Sequence, residues 1–153
     1  MASAALGFNA PTLFMAFIAG FLAVPVFHQG LYASLYYGGI IPPAAPPAPS
    51  NAPWDMQPVP PLGVPRILSS SFWGGVWAIV LWPLLSGLTG AAYWLAWFIV
   101  GGLALTTVFF LVVMPLKGQK MPLSATRFAV GCALNGVWGV GTALFLRVLG
   151  GGG

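Results

Sequence analysis

The chain has 153 residues, of which 59% are hydrophobic, 14% aromatic and only 4% charged. Soluble domains carry about a quarter charged residues, so this composition excludes a water-covered globule and predicts lipid around most of the chain. The net charge of +4 comes from five basic residues and one acid, too few bases for a nucleic-acid-binding face. We expect one transmembrane domain over residues 1–153, with membrane lipid and not nucleic acid as its surroundings.

The first apolar run covers about residues 11–41, more than the roughly 20 residues that span a bilayer. Pro25 is expected to kink this helix. Tyr32 and Tyr36, near its far end, suit a membrane interface because tyrosine rings are amphipathic. Residues 42–65 are rich in proline, which lacks an amide proton and has a fixed φ, so this segment is predicted to be an ordered or semi-extended loop outside the hydrocarbon.

The second helix is predicted over about residues 72–88. Ser69, Ser70 and Ser71 precede it and are N-cap candidates because a hydroxyl accepts from an unpaired amide of the first turn. Pro83 is expected to interrupt the helix, which membrane helices tolerate better than soluble ones.

The third and fourth helices are predicted over about residues 91–114 and 128–149. A short turn rich in glycine and serine precedes the third helix, and Pro115 is expected to end it. With the first two segments they predict an all-α integral membrane bundle of four transmembrane helices.

Short motifs recur along the chain. Residues 17–20 read Phe-Ile-Ala-Gly and residues 98–101 read Phe-Ile-Val-Gly, while residues 75–77 and 136–138 both read Gly-Val-Trp. These matches predict two tandem helical hairpins in a parallel repeat, because an even number of crossings separates the two units. Chance is the alternative, since these residue types are common in membrane helices.

The basic residues predict an orientation. Arg147 lies towards one end of the predicted bundle, and the other bases lie in two loops at the opposite end. Cytoplasmic loops carry an excess of Lys and Arg, so loops 42–71 and 115–127 are predicted to be cytoplasmic and both termini to lie on the opposite side. The four loop bases are Arg66, Lys117, Lys120 and Arg127.

His28 is the only histidine and lies late in the first helix. One interpretation makes it a cofactor ligand, for haem or chlorophyll, because a neutral imidazole can coordinate either. The favoured interpretation is a hydrogen bond to a neighbouring helix or an interfacial position, because Cys132 is the only cysteine and no second histidine completes a metal site. Counting by four along the first helix predicts that five residues share one face: Gly20, Val24, His28, Tyr32 and Tyr36.

Small residues mark expected helix contacts. Asn135 shares a stripe with Gly131 and Gly139, which permits close backbone approach and an interhelical hydrogen bond from the amide. A substrate contact from Asn135 is the alternative. The predicted helix-packing positions are Gly20, Gly74, Gly75, Gly131, Asn135 and Gly139.

Tryptophans cluster near the predicted starts of the second and third helices, where aromatic side chains lie at membrane interfaces. A quinone, pigment or aromatic-cage site is the alternative. With two tyrosines of the first helix, the predicted interface anchors are Trp73, Trp77, Trp94, Trp97, Tyr32 and Tyr36.

Reactive groups are scarce in the sequence. No carboxylate lies in a predicted helix, so the usual proton carrier of coupled transporters is missing. We find no paired acid and base, no Ser-His-Asp set with an available acid and no phosphate-binding glycine motif with a lysine. The sequence therefore predicts a protein that is not an enzyme.

Five short motifs are distinctive as a set: Phe27-His28-Gln29-Gly30, Pro61-Leu62-Gly63-Val64-Pro65, Phe72-Trp73-Gly74-Gly75-Val76-Trp77, Pro115-Leu116-Lys117-Gly118 and Asn135-Gly136-Val137-Trp138-Gly139. Together they resemble a family of small, uncharacterised proteobacterial membrane proteins with four helices. The resemblance covers most of the chain from the first helix onward, although residues 42–60 are longer and richer in proline than in that family. It implies a bacterial inner membrane location and no known activity.

Three functional hypotheses follow. The first is a non-enzymatic structural or accessory subunit that packs in a larger membrane complex or a homo-oligomer. The second is a small transporter or channel with His28, Gln29 and Asn135 near a central path. The third is a cofactor-binding subunit of an electron-transfer or photosynthetic complex that uses His28 as a ligand.

Overall fold

The structure is a computed structural model that describes residues 9–48, 50–118 and 124–150. Within these residues lie four helices that are long and apolar enough to cross a membrane, which confirms the predicted all-α class. The predicted loop base Lys120 lies outside the described residues. The helices are α1 Ala10–Tyr37, α2 Arg66–Leu85, α3 Gly90–Leu116 and α4 Ala125–Val148, and a small antiparallel pair is formed by β1 Pro58–Val59 and β2 Val64–Pro65.

Side-chain caps fix the starts of α1 and α4. The Asn9 side chain accepts from the amide of Thr12 at 2.9 Å, and the Ser124 hydroxyl accepts from the amide of Arg127 at 3.2 Å. Each cap satisfies an amide of the first turn that has no partner within its helix. Because Ser124 caps α4, this helix begins three residues before the predicted start at residue 128.

The first amides of α2 are capped by carbonyls of the preceding loop and not by the serines that the sequence predicts. The Arg66 amide donates to the Gln57 carbonyl at 2.9 Å, and the Ile67 amide donates to the Asp55 carbonyl at 3.0 Å. These bonds satisfy the first amides of α2, so the helix begins at residue 66 and serines 69–71 lie inside it. The prediction that those serines form the N-cap was wrong.

Three other helix features differ from the sequence prediction. α1 ends at Tyr37, before the predicted residue 41, and Gly39 just beyond it has a left-handed φ of 77°. α3 continues through Pro115 to Leu116, and α2 continues through Pro83 without interruption. Prolines inside helices are tolerated where neighbouring groups satisfy the freed carbonyls.

Two of the long helices contain a π-helical turn, Val24–His28 in α1 and Phe109–Val113 in α3. A π-turn bonds each amide to the carbonyl five residues earlier and so inserts one extra residue. After Val24, the next buried residue of α1 is Ala33, nine positions later. The face predicted by counting in fours is therefore wrong beyond Val24.

The helices lie in the order α2, α1, α4, α3. α1 packs on α2 and on α4, α3 packs on α4, and α2 and α3 make few contacts with each other. This order makes α2 and α3 the outer helices. The largest fully buried side chains between the helices are Trp97, Trp138, Tyr93 and Leu146.

Candidate functional site

A polar pocket of about 140 Å³ lies where the proline-rich loop folds back over α1 and α2. Its wall combines side chains of the two helices with a stretch of the loop, so none of these elements forms it alone. We call it the rim pocket. It is lined by Gln29 and Tyr32 of α1, Asn51, Ala52 and Asp55 of the loop, and Arg66, Ile67 and Ser70 of α2.

The loop is fixed to α1 by three hydrogen bonds. The Tyr32 hydroxyl donates to the Asn51 carbonyl at 2.7 Å, and the Gln29 side-chain oxygen accepts from the Trp54 amide at 2.9 Å. The Trp54 indole donates to the Pro25 carbonyl at 2.9 Å, which lies inside the π-helical turn. These bonds agree with the predicted ordered loop.

An ion pair joins the loop to the start of α2. The Arg66 guanidinium lies 3.1 Å from the Asp55 carboxylate, whose side chain is 10% exposed while that of Arg66 is 41% exposed. The same carboxylate accepts from the Gln57 amide at 2.9 Å, and Arg66 also donates to the Ser50 carbonyl at 3.3 Å. The only acid of the chain is thus used to hold the loop, and the pocket offers hydrogen bonds and a neutralised charge pair.

Deeper in the bundle, polar side chains bond to neighbouring helices. Such bonds in a membrane contribute about 1 kcal/mol each. The amide of Asn135 donates to the Thr106 hydroxyl at 2.9 Å, the Trp138 indole donates to the Gly20 carbonyl at 3.0 Å, and the Tyr93 hydroxyl donates to the Ala143 carbonyl at 3.0 Å.

The structure places the predicted packing glycines where helix backbones meet. A Cβ on Gly139 would overlap the Trp97 carbonyl, and a Cβ on Gly20 would overlap the Gly74 carbonyl and Ala78. Gly74 and Gly75 meet both side chain and backbone: a Cβ on Gly74 would lie 2.6 Å from Val24 and 2.8 Å from the Gly20 carbonyl oxygen, and one on Gly75 would lie 2.6 Å from the Phe17 ring and 2.9 Å from its carbonyl oxygen. A Cβ on Gly131 would lie 2.8 Å from the Thr106 side chain.

His28 is the last residue of the π-helical turn in α1 and is half-buried. Its Nδ1 atom is buried and has no hydrogen-bond partner among the described residues. The described part of the chain contains no cluster of three His, Cys, Asp or Glu residues that could hold a metal ion. The cofactor interpretation of His28 stays a prediction.

The predicted interface anchors occupy different environments. Trp97 is 0% exposed and belongs to the core, so its ring is enclosed by the chain, unlike that of an anchor exposed on the surface of the bundle. Trp73 is 58% exposed, and Trp77 is half-buried. Trp94 lies beneath the Arg147 guanidinium, 5.2 Å from its ring.

The tyrosines predicted as anchors lie near the rim pocket. The rings of Tyr32 and Tyr36 stack with their centroids 6.2 Å apart. Only Tyr32 lines the pocket, where its hydroxyl bonds the loop as described above.

The sequence prediction missed the pairing of Asp55 with Arg66 and the role of Asn51. A single acid within a proline-rich loop, followed by a base at the start of the next helix, is the signal that points to that ion pair. Comparison of the chain with protein-family models, curated proteins and solved structures finds no match.

Proposed function

We propose that this chain is a non-enzymatic, multi-pass integral membrane protein that serves as a structural or accessory subunit in a membrane complex or homo-oligomer. One observation carries the proposal: three polar side chains between the helices donate to neighbouring helices of the same chain. The donor groups that make these bonds belong to Asn135, Trp138 and Tyr93. Such groups stabilise packing and are not directed towards a substrate.

The proposed location is the bacterial inner membrane, in keeping with the family that the motifs resemble. The proposed orientation has the loops around Arg66 and Arg127 in the cytoplasm and Arg147 on the opposite side. The proximity of Arg147 to Tyr93 and Trp94, at the start of α3, supports this separation of the basic residues. Reporter fusions at the two loops test the orientation, and activity of a periplasm-dependent reporter there would contradict it.

The test of the proposed role is extraction of the protein at native expression level in a mild detergent. Mass spectrometry of the extract is expected to find it in a stoichiometric assembly, with other chains or with itself. A monomer without any partner would refute the subunit role. Visible absorption of the same sample tests the cofactor hypothesis, because a pigment ligated by His28 would give a band that His28→Ala abolishes.

A small transporter is the second candidate. The rim pocket supports it, because polar side chains of Gln29, Asn51 and Arg66 line it beside the helix ends. Liposomes containing the purified protein would then pass small polar solutes faster than empty liposomes. Equal rates would refute this candidate, and Arg66→Gln serves as the variant that should reduce any flux.

A further inference from the structure

The two hairpins correspond over more positions than their short motifs. With Phe17 aligned to Phe98, residues 17–23 and 98–104 read Phe-Ile-Ala-Gly-Phe-Leu-Ala and Phe-Ile-Val-Gly-Gly-Leu-Ala, identical at five of seven positions. The alignment of the two Gly-Val-Trp motifs also matches Arg with Arg at the start of the helix and Leu with Leu near its end. The matched pairs are Arg66 with Arg127 and Leu85 with Leu146.

The matched residues make matched contacts. The Phe17 ring covers Gly75 between α1 and α2, and the Phe98 ring covers Gly136 between α3 and α4. Close glycine contacts recur in the same way: Gly20 lies against Gly74 and Ala78, and their equivalents are Gly101 against Asn135 and Gly139. The hairpins α1–α2 and α3–α4 are therefore two versions of one packing unit.

One interface joins the two units within the chain, and it lies between α1 and α4. The Phe27 ring lies on Gly141 and meets the Phe145 ring edge-on, with centroids 5.8 Å apart. The Trp138 indole bonds to the Gly20 carbonyl across the same interface. In this interface the first hairpin contributes a face of its first helix, α1, and the second hairpin contributes a face of its second helix, α4.

The alignment assigns the same face to α2. The equivalents of Trp138, Gly141 and Phe145 are Trp77, Val80 and Leu84, which we call the outer α2 face. Val80 is 50% exposed and Leu84 is 69% exposed, whereas Trp138 and Gly141 are buried.

The alignment also assigns a face to α3. The α1 residues Ala19 and Ala23 correspond to Val100 and Ala104. Together with Val108, one turn further along, these two residues line an open apolar groove that we call the α3 groove. Ala19 and Ala23 are fully buried, while their equivalents Val100 and Ala104 are half-exposed. Positions that are buried within the chain on α1 are thus partly exposed on α3.

We propose that a second copy of this chain covers both surfaces, with the outer α2 face of each copy packed in the α3 groove of the other. This proposal rests on the proposed function and names the partner. Two copies related by a two-fold axis cover both surfaces at once, because the contact is reciprocal. The new interface repeats the α1–α4 interface: Val80, the equivalent of Gly141, packs in the α3 groove beside Val108, as Gly141 packs against α1 within the chain.

Disulfide cross-linking in the membrane tests this arrangement. Cys132→Ala removes the only native cysteine, and Val80→Cys and Val108→Cys are placed in separate chains with different tags. When the two chains are co-expressed and oxidised, we expect a dimer that contains both tags. Neither variant alone should give an equal yield, because the proposed contact joins position 80 to position 108.

A matched control uses exposed apolar positions on the inner helices, Val26→Cys in α1 and Leu144→Cys in α4. These positions lie outside the proposed interface and should not cross-link. The wild-type protein in lipid nanodiscs should contain two chains per particle by mass, which tests the assembly without any substitution.

The other outcomes are distinguishable. Equal cross-linking of the control pair would overturn the proposed interface. A disulfide from Val80→Cys to a different protein would overturn the second copy as the occupant and leave the proposed subunit role intact. Single chains surrounded by lipid, with no cross-link and no retained partner, would overturn both.

Discussion

Gly139→Ala is the sharpest test of the packing between α3 and α4. The added methyl group would overlap the Trp97 carbonyl oxygen and lie 2.9 Å from its carbon, whereas carbon atoms pack at roughly 3.5–4.0 Å. A backbone carbonyl cannot rotate away, so the carbon contact alone requires the helices to separate by roughly 0.6–1.1 Å, and the closer oxygen requires at least as much. Overpacking of this kind costs about 1–3 kcal/mol, and the free energy of unfolding should fall by that amount.

The measurement is an SDS titration of the protein in mild-detergent micelles, followed by tryptophan fluorescence at one protein concentration. Gly30→Ala is the matched control, because no atom lies within 4 Å of its added methyl group and alanine favours a helix by up to about 1 kcal/mol over glycine. The two variants should move stability in opposite directions. Wild-type stability for Gly139→Ala would refute the close backbone contact.

Three further predictions concern polar contacts. Asn135→Leu should lower the free energy of unfolding by about 1 kcal/mol, and a double-mutant cycle with Thr106→Val should assign that loss to their hydrogen bond; additive effects would contradict it. Asp55→Asn should change global stability by less than about 1 kcal/mol but speed proteolysis of the loop that Arg66 anchors, and unchanged cleavage would contradict that role. Trp138→Phe should cost about 0.5–1.5 kcal/mol by removing the indole bond to the Gly20 carbonyl, whereas equal SDS midpoints would argue against this bond.

The number and length of the helices follow from the sequence because long apolar runs leave few alternatives. The close contacts at Gly20, Gly74 and Gly139 were also predicted positions, since small residues spaced along a helix permit backbone approach. These contacts can be predicted because residues spaced by one helical turn in the sequence lie on the same face of the helix.

The start of α2 and the rim pocket could not be predicted in this way. Amides of α2 are capped by carbonyls of Gln57 and Asp55, and nothing in the local sequence indicates which distant carbonyl will reach a helix end. The burial of Trp97 depends similarly on tertiary packing, since it lies near the start of a helix as an interface residue would. Periodicity also gave the wrong face where the π-helical turn of α1 adds a residue.

That turn makes α1 a helix of two independently aligned halves. If Val24–His28 became α-helical at its present length, the extra residue would rotate the part beyond it by about 100°, which would move Gln29 and Tyr32 away from the loop they bind while leaving the Gly20 contacts in place. Deleting one of the five residues as well would remove that rotation and return both side chains to the loop. The length of this short segment therefore determines whether Gln29 and Tyr32 face the loop when the rest of α1 is packed in the bundle.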